Sequence, residues 1–213
     1  MNCDRIARCY RWLEYFSFGR ALERRRREYL DEVERARSVL ILGDGDGRFT
    51  AEFLGRNKQG VIDSVELSPC MLALAKQRVE QQTAGADRLR FWQADARTME
   101  LPREYDLIVS HFFLDCFTPD DLDALVARIA SAARPGARWI LSEFRVPDRG
   151  IQRFAGGVLI QIMYWFFRVA TGLKTSRVPE YRTIFRVRGF RCLGQRSAWG
   201  GLMASELWEK VER

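Results

Sequence analysis

The spacing of apolar positions divides the chain into three rhythms. From Asp4 to Phe16 and again from Arg20 to Arg37, apolar residues recur every three or four positions. That is the period of amphipathic helices. Gly19 separates the two, and Arg24 to Arg27 read as a solvated helix face. At Ser38 the pattern changes to short aliphatic runs. SVLILG (38–43), GVIDSVEL (60–67), RLRFWQAD (88–95), YDLIVSHFF (105–113) and ARWILSEF (137–144) read as five strands, the first buried on both faces. Helices fill the gaps. One runs from Gly47 to about Asn57. A second opens at Ser68-Pro69, since proline is tolerated in a first turn, and reaches about Gln82. A third starts at Thr118 as N-cap and ends before Arg134-Pro135-Gly136.

Alternating strands and helices imply βαβ units, a mostly parallel sheet and a three-layer α/β architecture. The third rhythm begins after Arg149. An apolar stretch, FAGGVLIQIMYWFF, runs from Phe154 to Phe167 between two arginines. It is short for a membrane span of about 20 residues, and reads as a buried helix or a lid over an apolar pocket, with an interfacial helix as the alternative. Gly189 to Glu209 then reads as two strands around a Trp-Gly-Gly turn, and strands so closely joined are antiparallel.

Composition narrows the class. The chain has 213 residues, 47% apolar and 30% charged, which fits one folded α/β domain rather than disorder. The net charge of +7 is unevenly spread. Residues 1–37 carry 10 basic and 7 acidic side chains, residues 38–149 carry 14 and 17, and residues 150–213 carry 11 and 4. The basic final third is the part that would attract an anionic partner. Five cysteines (Cys3, Cys9, Cys70, Cys116, Cys192) form no C-x-x-C pair, and there is one histidine. No metal site is expected. Scattered cysteines without a secretory signal fit a cytoplasmic protein.

The chemistry sits at the first strand's end, in Gly43-Asp44-Gly45-Asp46-Gly47-Arg48. Glycines there allow a tight turn and close approach of a ligand. A dinucleotide fingerprint needs a third small residue where Arg48 stands, which disfavours a nicotinamide-dependent oxidoreductase. VLILGDGDG (39–47) instead resembles the first motif of the class I S-adenosylmethionine (SAM)-dependent methyltransferases. VELSPCML (65–72) and QADA (93–96) resemble the motifs after that family's second and third strands. The resemblance covers residues 38–145 well and the hairpin loosely. It implies a Rossmann-like, seven-stranded sheet ending in an antiparallel C-terminal hairpin, with N-terminal helices. It implies SAM as cofactor and S-adenosylhomocysteine as product. Its cofactor residues here are Gly43, Asp44, Gly45, Asp46, Gly47, Glu66, Leu67, Asp95, Ala96 and Ser110. Glu66 would accept both ribose hydroxyls, which suits a carboxylate's two oxygens. Leu67 would pack on the adenine, Asp95 accept its amino group, and the Ala96 amide donate to its ring. One position departs: Ile41 stands where the family has Asp or Glu, leaving Asp44 or Asp46 to balance the ammonium of SAM.

Methyl transfer from a sulfonium asks the protein mainly to position an acceptor, and for oxygen or nitrogen acceptors to remove a proton. His111, at the fourth strand's end, is the first candidate as base or orienting group. Asp115 is the second and Glu143 the third. Tyr10, Trp12, Tyr15 and Phe16 are placed to close over the site, where aromatic faces favour a sulfonium. Tyr164 in the apolar stretch joins Tyr10 and Tyr15 as substrate or lid residues. With Lys174, Arg177, Arg182, Arg186 and Arg188 downstream, the expected acceptor is a small hydrophobic molecule with an acidic group. The expected division is an N-terminal helical cap (1–37), a SAM-binding core (38–149), an apolar insertion (150–188) and the hairpin (189–213). The runner-up readings are an RNA methyltransferase using the basic third and a catalytically silent SAM-binding scaffold.

Overall fold

The computed structural model describes residues 20–82, 85–145 and 180–211. Seven strands form one sheet: β1 (Ser38–Leu42), β2 (Val61–Glu66), β3 (Leu89–Gln93), β4 (Tyr105–His111), β5 (Ala133–Phe144), β6 (Phe190–Ala198) and β7 (Met203–Lys210). Their order is β3-β2-β1-β4-β5-β7-β6. The first five are parallel, while β7 runs antiparallel to both β5 and β6. The helices are α1 (Ala21–Arg26), α2 (Leu30–Val33), α3 (Arg48–Arg56), α4 (Pro69–Gln82), α5 (Pro119–Ala132) and α6 (Tyr181–Val187). The Rossmann-like sheet with its terminal antiparallel hairpin is therefore present.

All five residues of β1 are buried, as a central parallel strand covered on both faces requires. Alternate side chains divide between two cores. Val39 and Ile41 join Phe53, Val109 and Ile140 on the α3 side. Leu40 and Leu42 join Leu122, Trp139, Phe185 and Trp208 on the α5 and α6 side. Thr118 caps α5, its hydroxyl accepting the Asp121 amide at 3.3 Å with Pro119 following.

Three elements differ from the pattern reading. The helix expected over Arg20–Arg37 is two short helices with a turn at Arg27–Tyr29. The turn lets two apolar groups dock in different places. Leu22 enters a cluster with Phe144 and Met203, while Tyr29, Leu30 and Val33 enter the α3-side core. The β5 pairing begins at Ala133, before the Arg-Pro-Gly turn, which forms an irregularity with Gly136 at φ 74°. Finally, the insertion ends in α6, whose Phe185 ring lies 4.5 Å from Trp139 and 5.2 Å from Trp208. The expected first helix (Asp4–Phe16) and the apolar stretch Phe154–Phe167 lie outside the described residues. Among the described residues no helix is long and apolar enough to cross a membrane.

Candidate functional site

A cleft opens at the carboxyl ends of β1, β2 and β4, where ligands of parallel α/β sheets bind. Its floor is the glycine turn between β1 and α3. Gly45 has φ +62°, and a Cβ there would project into open space within the cleft. Gly47, at φ +77°, meets a different demand. A Cβ there would come 2.6 Å from the Ala75 Cβ, so only glycine lets α3 and α4 pack this closely.

At one end of the cleft, Glu66 closes β2. Its Oε2 accepts the Gly45 amide at 3.2 Å and its Oε1 the Ser68 amide at 2.8 Å. These two bonds tie the carboxylate to the rim. Leu67, Ala96 and Asp95 line the cleft beside it, after β2 and β3. Arg97 lies on Asp95, its Nε 3.1 Å from both carboxylate oxygens, and its backbone amide donates at 2.9 Å. The Arg97 side-chain bonds hold the Asp95 carboxyl below the usual carboxylate range, against the opposing effect of burial.

At the other end, the two aspartates of the turn part company. Asp46 is buried and bridges helices: its Oδ1 receives Arg48 and its Oδ2 receives Arg78, both at 2.9 Å. It is not part of the cleft wall, and nor is Gly47. Asp44 does line the cleft, with Oδ2 accepting the Thr50 amide at 2.8 Å. Burial pushes its carboxyl up to about 6, against the Thr50 bonds and the positive charge of Arg26. Arg26 reaches the cleft from α1, with its guanidinium 5.5 Å from the centre of the Phe112 ring. Ser110 is fully buried behind the wall, its hydroxyl accepting Trp139 Nε1 at 2.9 Å.

His111 ends β4 and lines the cleft. Its Nδ1 lies 3.1 Å from Ser142 Oγ. The hydroxyls of Ser142 and Ser205 both donate to the Arg25 carbonyl, at 2.9 and 2.8 Å. The Ser142 and Ser205 hydroxyls also lie 3.1 Å apart, so His111 Nδ1 joins a chain of hydroxyls that ends on the Arg25 carbonyl. Nε2 is buried with no hydrogen-bond partner among the described residues. Burial lowers the His111 pKa to about 3, with Arg26 adding to the effect, so the ring stays neutral near pH 7. Asp115 is buried behind the wall, and its carboxylate raises the pKa of Glu143. Glu143 is 1% exposed, and its Oε1 accepts the Phe113 and Leu114 amides at 3.1 and 2.9 Å. Burial first, and the charge of Asp115 second, push the Glu143 carboxyl well above its ordinary value. Among the described residues no His, Cys, Asp and Glu group is arranged to hold a metal.

Residues 39–136 match the family described as a methyltransferase domain. An uncharacterised methyltransferase of Bacillus mycoides is 25% identical over 158 residues, 72% of this chain and 69% of that protein. Malonyl-[acyl-carrier protein] O-methyltransferase of Halalkalibacterium halodurans is 32% identical over 127 residues, 58% of this chain and 44% of that protein. The crystal structure of N-methyltransferase NodS from Bradyrhizobium japonicum, in complex with S-adenosyl-L-homocysteine, shares the fold. Its TM-score is 0.65 at 13% identity, covering 90% of this chain and 89% of that one. Residues 39–136 thus form a domain of that methyltransferase family. The chain is an enzyme of the methyltransferase class, and solved structures that share its fold hold S-adenosyl-L-homocysteine or S-adenosylmethionine.

The residues of this methyltransferase fit that cofactor. The open space above Gly45 admits a ligand against the backbone, and Glu66 and Asp95 present carboxylates at the strand ends. Of the residues read from sequence, the structure brings Gly43, Asp44, Gly45, Glu66, Leu67, Asp95, Ala96 and His111 together in one wall. Asp46, Gly47, Ser110 and Asp115 stand behind it. Tyr10, Tyr15 and Tyr164 lie outside the described residues. Pattern reading missed Arg26, Phe112 and Arg97. Arg26 follows Leu22 by four positions and so shares its helix face, a signal visible in sequence but masked by three adjacent arginines. Phe112 adopts φ +53°, a conformation a bulky side chain rarely takes and one that no sequence pattern announces.

The basic final third also reads differently in three dimensions. Arg182 pairs with Glu206, Arg188 with Asp123, Arg191 with Glu209, and Arg196 with Glu28 and Glu32. Lys210 donates to the Arg188 carbonyl at 2.8 Å. Lys174 and Arg177 lie outside the described residues.

Proposed function

We propose that this methyltransferase transfers the methyl group of SAM to a small acceptor with a large apolar part, seated where β4 and β5 end. The observation that carries this reading is an aromatic wall. Phe112, Phe113 and Phe117 line the cleft, with the Phe113 and Phe117 rings 4.9 Å apart edge to face. The segment joining β5 to α6 contains Phe154–Phe167, which extends the same apolar character. We read the chain as one domain, with residues 1–37 as a cap and 150–188 as the acceptor-facing insertion, in a reducing cytoplasm.

The cofactor supplies an activated methyl group, and the chain supplies position. Glu66 holds the ribose hydroxyls. Leu67, Ala96 and Asp95 hold the adenine, and the turn at Gly43–Gly47 receives the rest. Alignment of two reactants is worth up to about 7–11 kcal/mol in the best intramolecular cases. The phenylalanine wall excludes water from the acceptor. His111 offers Nε2 as a hydrogen-bond acceptor to the acceptor's O–H or N–H. With a pKa near 3 it orients that group rather than storing its proton. Asp115, the second residue read as a base, stands behind the wall and does not face the acceptor. Glu143, whose carboxyl burial pushes up, fixes the backbone of Phe113 and Leu114 that carries the wall.

An acidic group on the acceptor has less support than the charge count implied, because Arg182 and Arg188 already face carboxylates. The same ion pairs remove much of the case for RNA. The test is S-adenosylhomocysteine release with four acceptor panels: apolar phenols, fatty acids and their thioesters, apolar amines, and transcribed tRNA. Saturable turnover in one of the three small-molecule panels, lowered about 10- to 100-fold by His111→Gln, is expected. Salt-sensitive methylation of RNA alone would overturn this reading.

A further inference from the structure

The strand end that carries His111 is tied to an element outside the sheet. We infer that Ser142 is a positioning residue: anchored on the Arg25 carbonyl of α1, it fixes the His111 hydrogen on Nδ1 and leaves the Nε2 lone pair for the acceptor. This rests on the reading of His111 as the group that orients the acceptor, and makes the cap helix α1 a required part of that site.

Three strands meet here in register. His111 of β4 pairs with Ser142 of β5, and Ser142 pairs with Ser205 of β7. Register partners project from the same face of a sheet, so the three side chains form a row. The Arg25 carbonyl lies over that row, 2.9 Å from Ser142 Oγ and 2.8 Å from Ser205 Oγ. The other two contacts are longer, 3.1 Å between the hydroxyls and 3.1 Å from Ser142 Oγ to Nδ1. A hydroxyl donating to oxygen is usually about 2.7–2.8 Å from it. The shortest contacts therefore take the two hydroxyl hydrogens, and the carbonyl, with two lone pairs, accepts both. Nδ1 then faces an oxygen whose hydrogen is already placed. It completes the row by donating its own.

The surroundings agree. Ser142, Ser205 and His111 are all buried, so water does not compete for these hydrogens. Burying hydroxyls is costly unless they are bonded, and alanine would fill the same space, so the bonds are what the two serines add. The Phe49 ring, 4.8 Å from the imidazole centre and edge to face, holds the ring from α3. Burial keeps the imidazole neutral near pH 7, so the bond at one nitrogen decides the state of the other. Leu22 anchors α1 against Phe144 and Met203. With α1 undocked, the Ser142 hydroxyl loses the carbonyl and turns its hydrogen toward Nδ1, which reverses the tautomer. Docking of the cap therefore sets which nitrogen can accept.

The experiment uses the single histidine of the chain. The full chain labelled with 15N-histidine gives one imidazole spectrum. Long-range proton–nitrogen correlations at pH 7 tell Nδ1 from Nε2 and show which carries hydrogen. Wild type should carry it on Nδ1. Ser142→Ala should shift the tautomer ratio about fivefold toward hydrogen on Nε2, the loss of one neutral hydrogen bond. Ser142→Thr, which restores a hydroxyl, should keep the wild-type spectrum. Leu22→Ala, which loosens α1 without touching the row, should shift the ratio as Ser142→Ala does. Circular dichroism of each variant reports its fold. With an acceptor in hand, Ser142→Ala should lower kcat about fivefold and leave KM unchanged. Hydrogen on Nε2 in wild type overturns the inference without any variant. An unchanged spectrum in Ser142→Ala overturns the role of Ser142, and in Leu22→Ala that of α1. A shifted tautomer with unchanged kcat overturns the link to turnover. The spectra need no acceptor, so a failed acceptor search and a wrong tautomer are separate results.

Discussion

The two ends of the cleft are built by different rules. At one end, Glu66 closes β2 and Asp95 follows β3, each where its strand runs out of the sheet. A carboxylate there can face the cleft because no layer covers it. At the other end, the position at which the resembling family carries an acid lies inside β1, where this chain has a fully packed isoleucine beside Phe53, Val109 and Ile140. Charge reaches that end from a loop and from a helix outside the sheet. A position at a strand terminus can keep its chemistry whatever the core does. A position within the strand is decided by packing first.

Reversing that choice should have the largest effect. Ile41→Asp places a carboxylate in an apolar core with no partner, at about 4 kcal/mol of stability. For a chain of this size that lowers the melting midpoint by about 10 °C. A variant that melted like wild type and bound SAM more tightly would show that the inherited arrangement still works here. Glu66→Ala comes next, with each lost bond to a charged group worth about 1.5–3 kcal/mol. Calorimetry should show S-adenosylhomocysteine and methylthioadenosine weakened alike, the signature of the adenosine end.

Smaller is the acid sensitivity set by His111. Its folded pKa lies near 3, below the ordinary value of 6.5, so between these values the unfolded chain binds the proton and the folded one does not. Stability is therefore lost as pH falls below 6.5, by about 2 kcal/mol at pH 5. Urea midpoints at pH 7 and pH 5 should differ less in His111→Gln than in wild type by that amount. The smallest effect is expected from Arg97→Ala. The Arg97 side chain is 45% exposed, so its ion pair with Asp95 contributes little to stability. Its removal should raise nucleoside affinity a few-fold by releasing Asp95. A loss of affinity would mean that Arg97 itself holds the adenine.

Much of this was legible from residue order. Strand and glycine patterns locate β1 to β5, the Thr118 cap and the terminal hairpin, because burial on both faces and backbone demands leave local marks. Glu66, Asp95 and His111 were found because they sit at strand ends. Asp46 could not be told from Asp44 by spacing alone. The difference is that Arg78, thirty-two positions later, reaches back to Asp46. Arg26 and the paired arginines of the final third were hidden for the same reason. A charge count treats Arg182 and Arg196 as available, while their partners Glu206 and Glu28 come from other elements.

The sheet order has a consequence for how the molecule is made. β7 enters between β5 and β6, so among the described strands β5 has β4 as its one neighbour until residues 203–210 arrive. Every residue from 146 to 202 must leave the ribosome first. During that interval the unpaired edge of β5, with Trp139, Ile140 and Leu141, is open to pairing with another chain. The nascent protein therefore carries an aggregation hazard late in synthesis, and a ribosome stalled within that stretch would leave the β5 edge without its β7 partner.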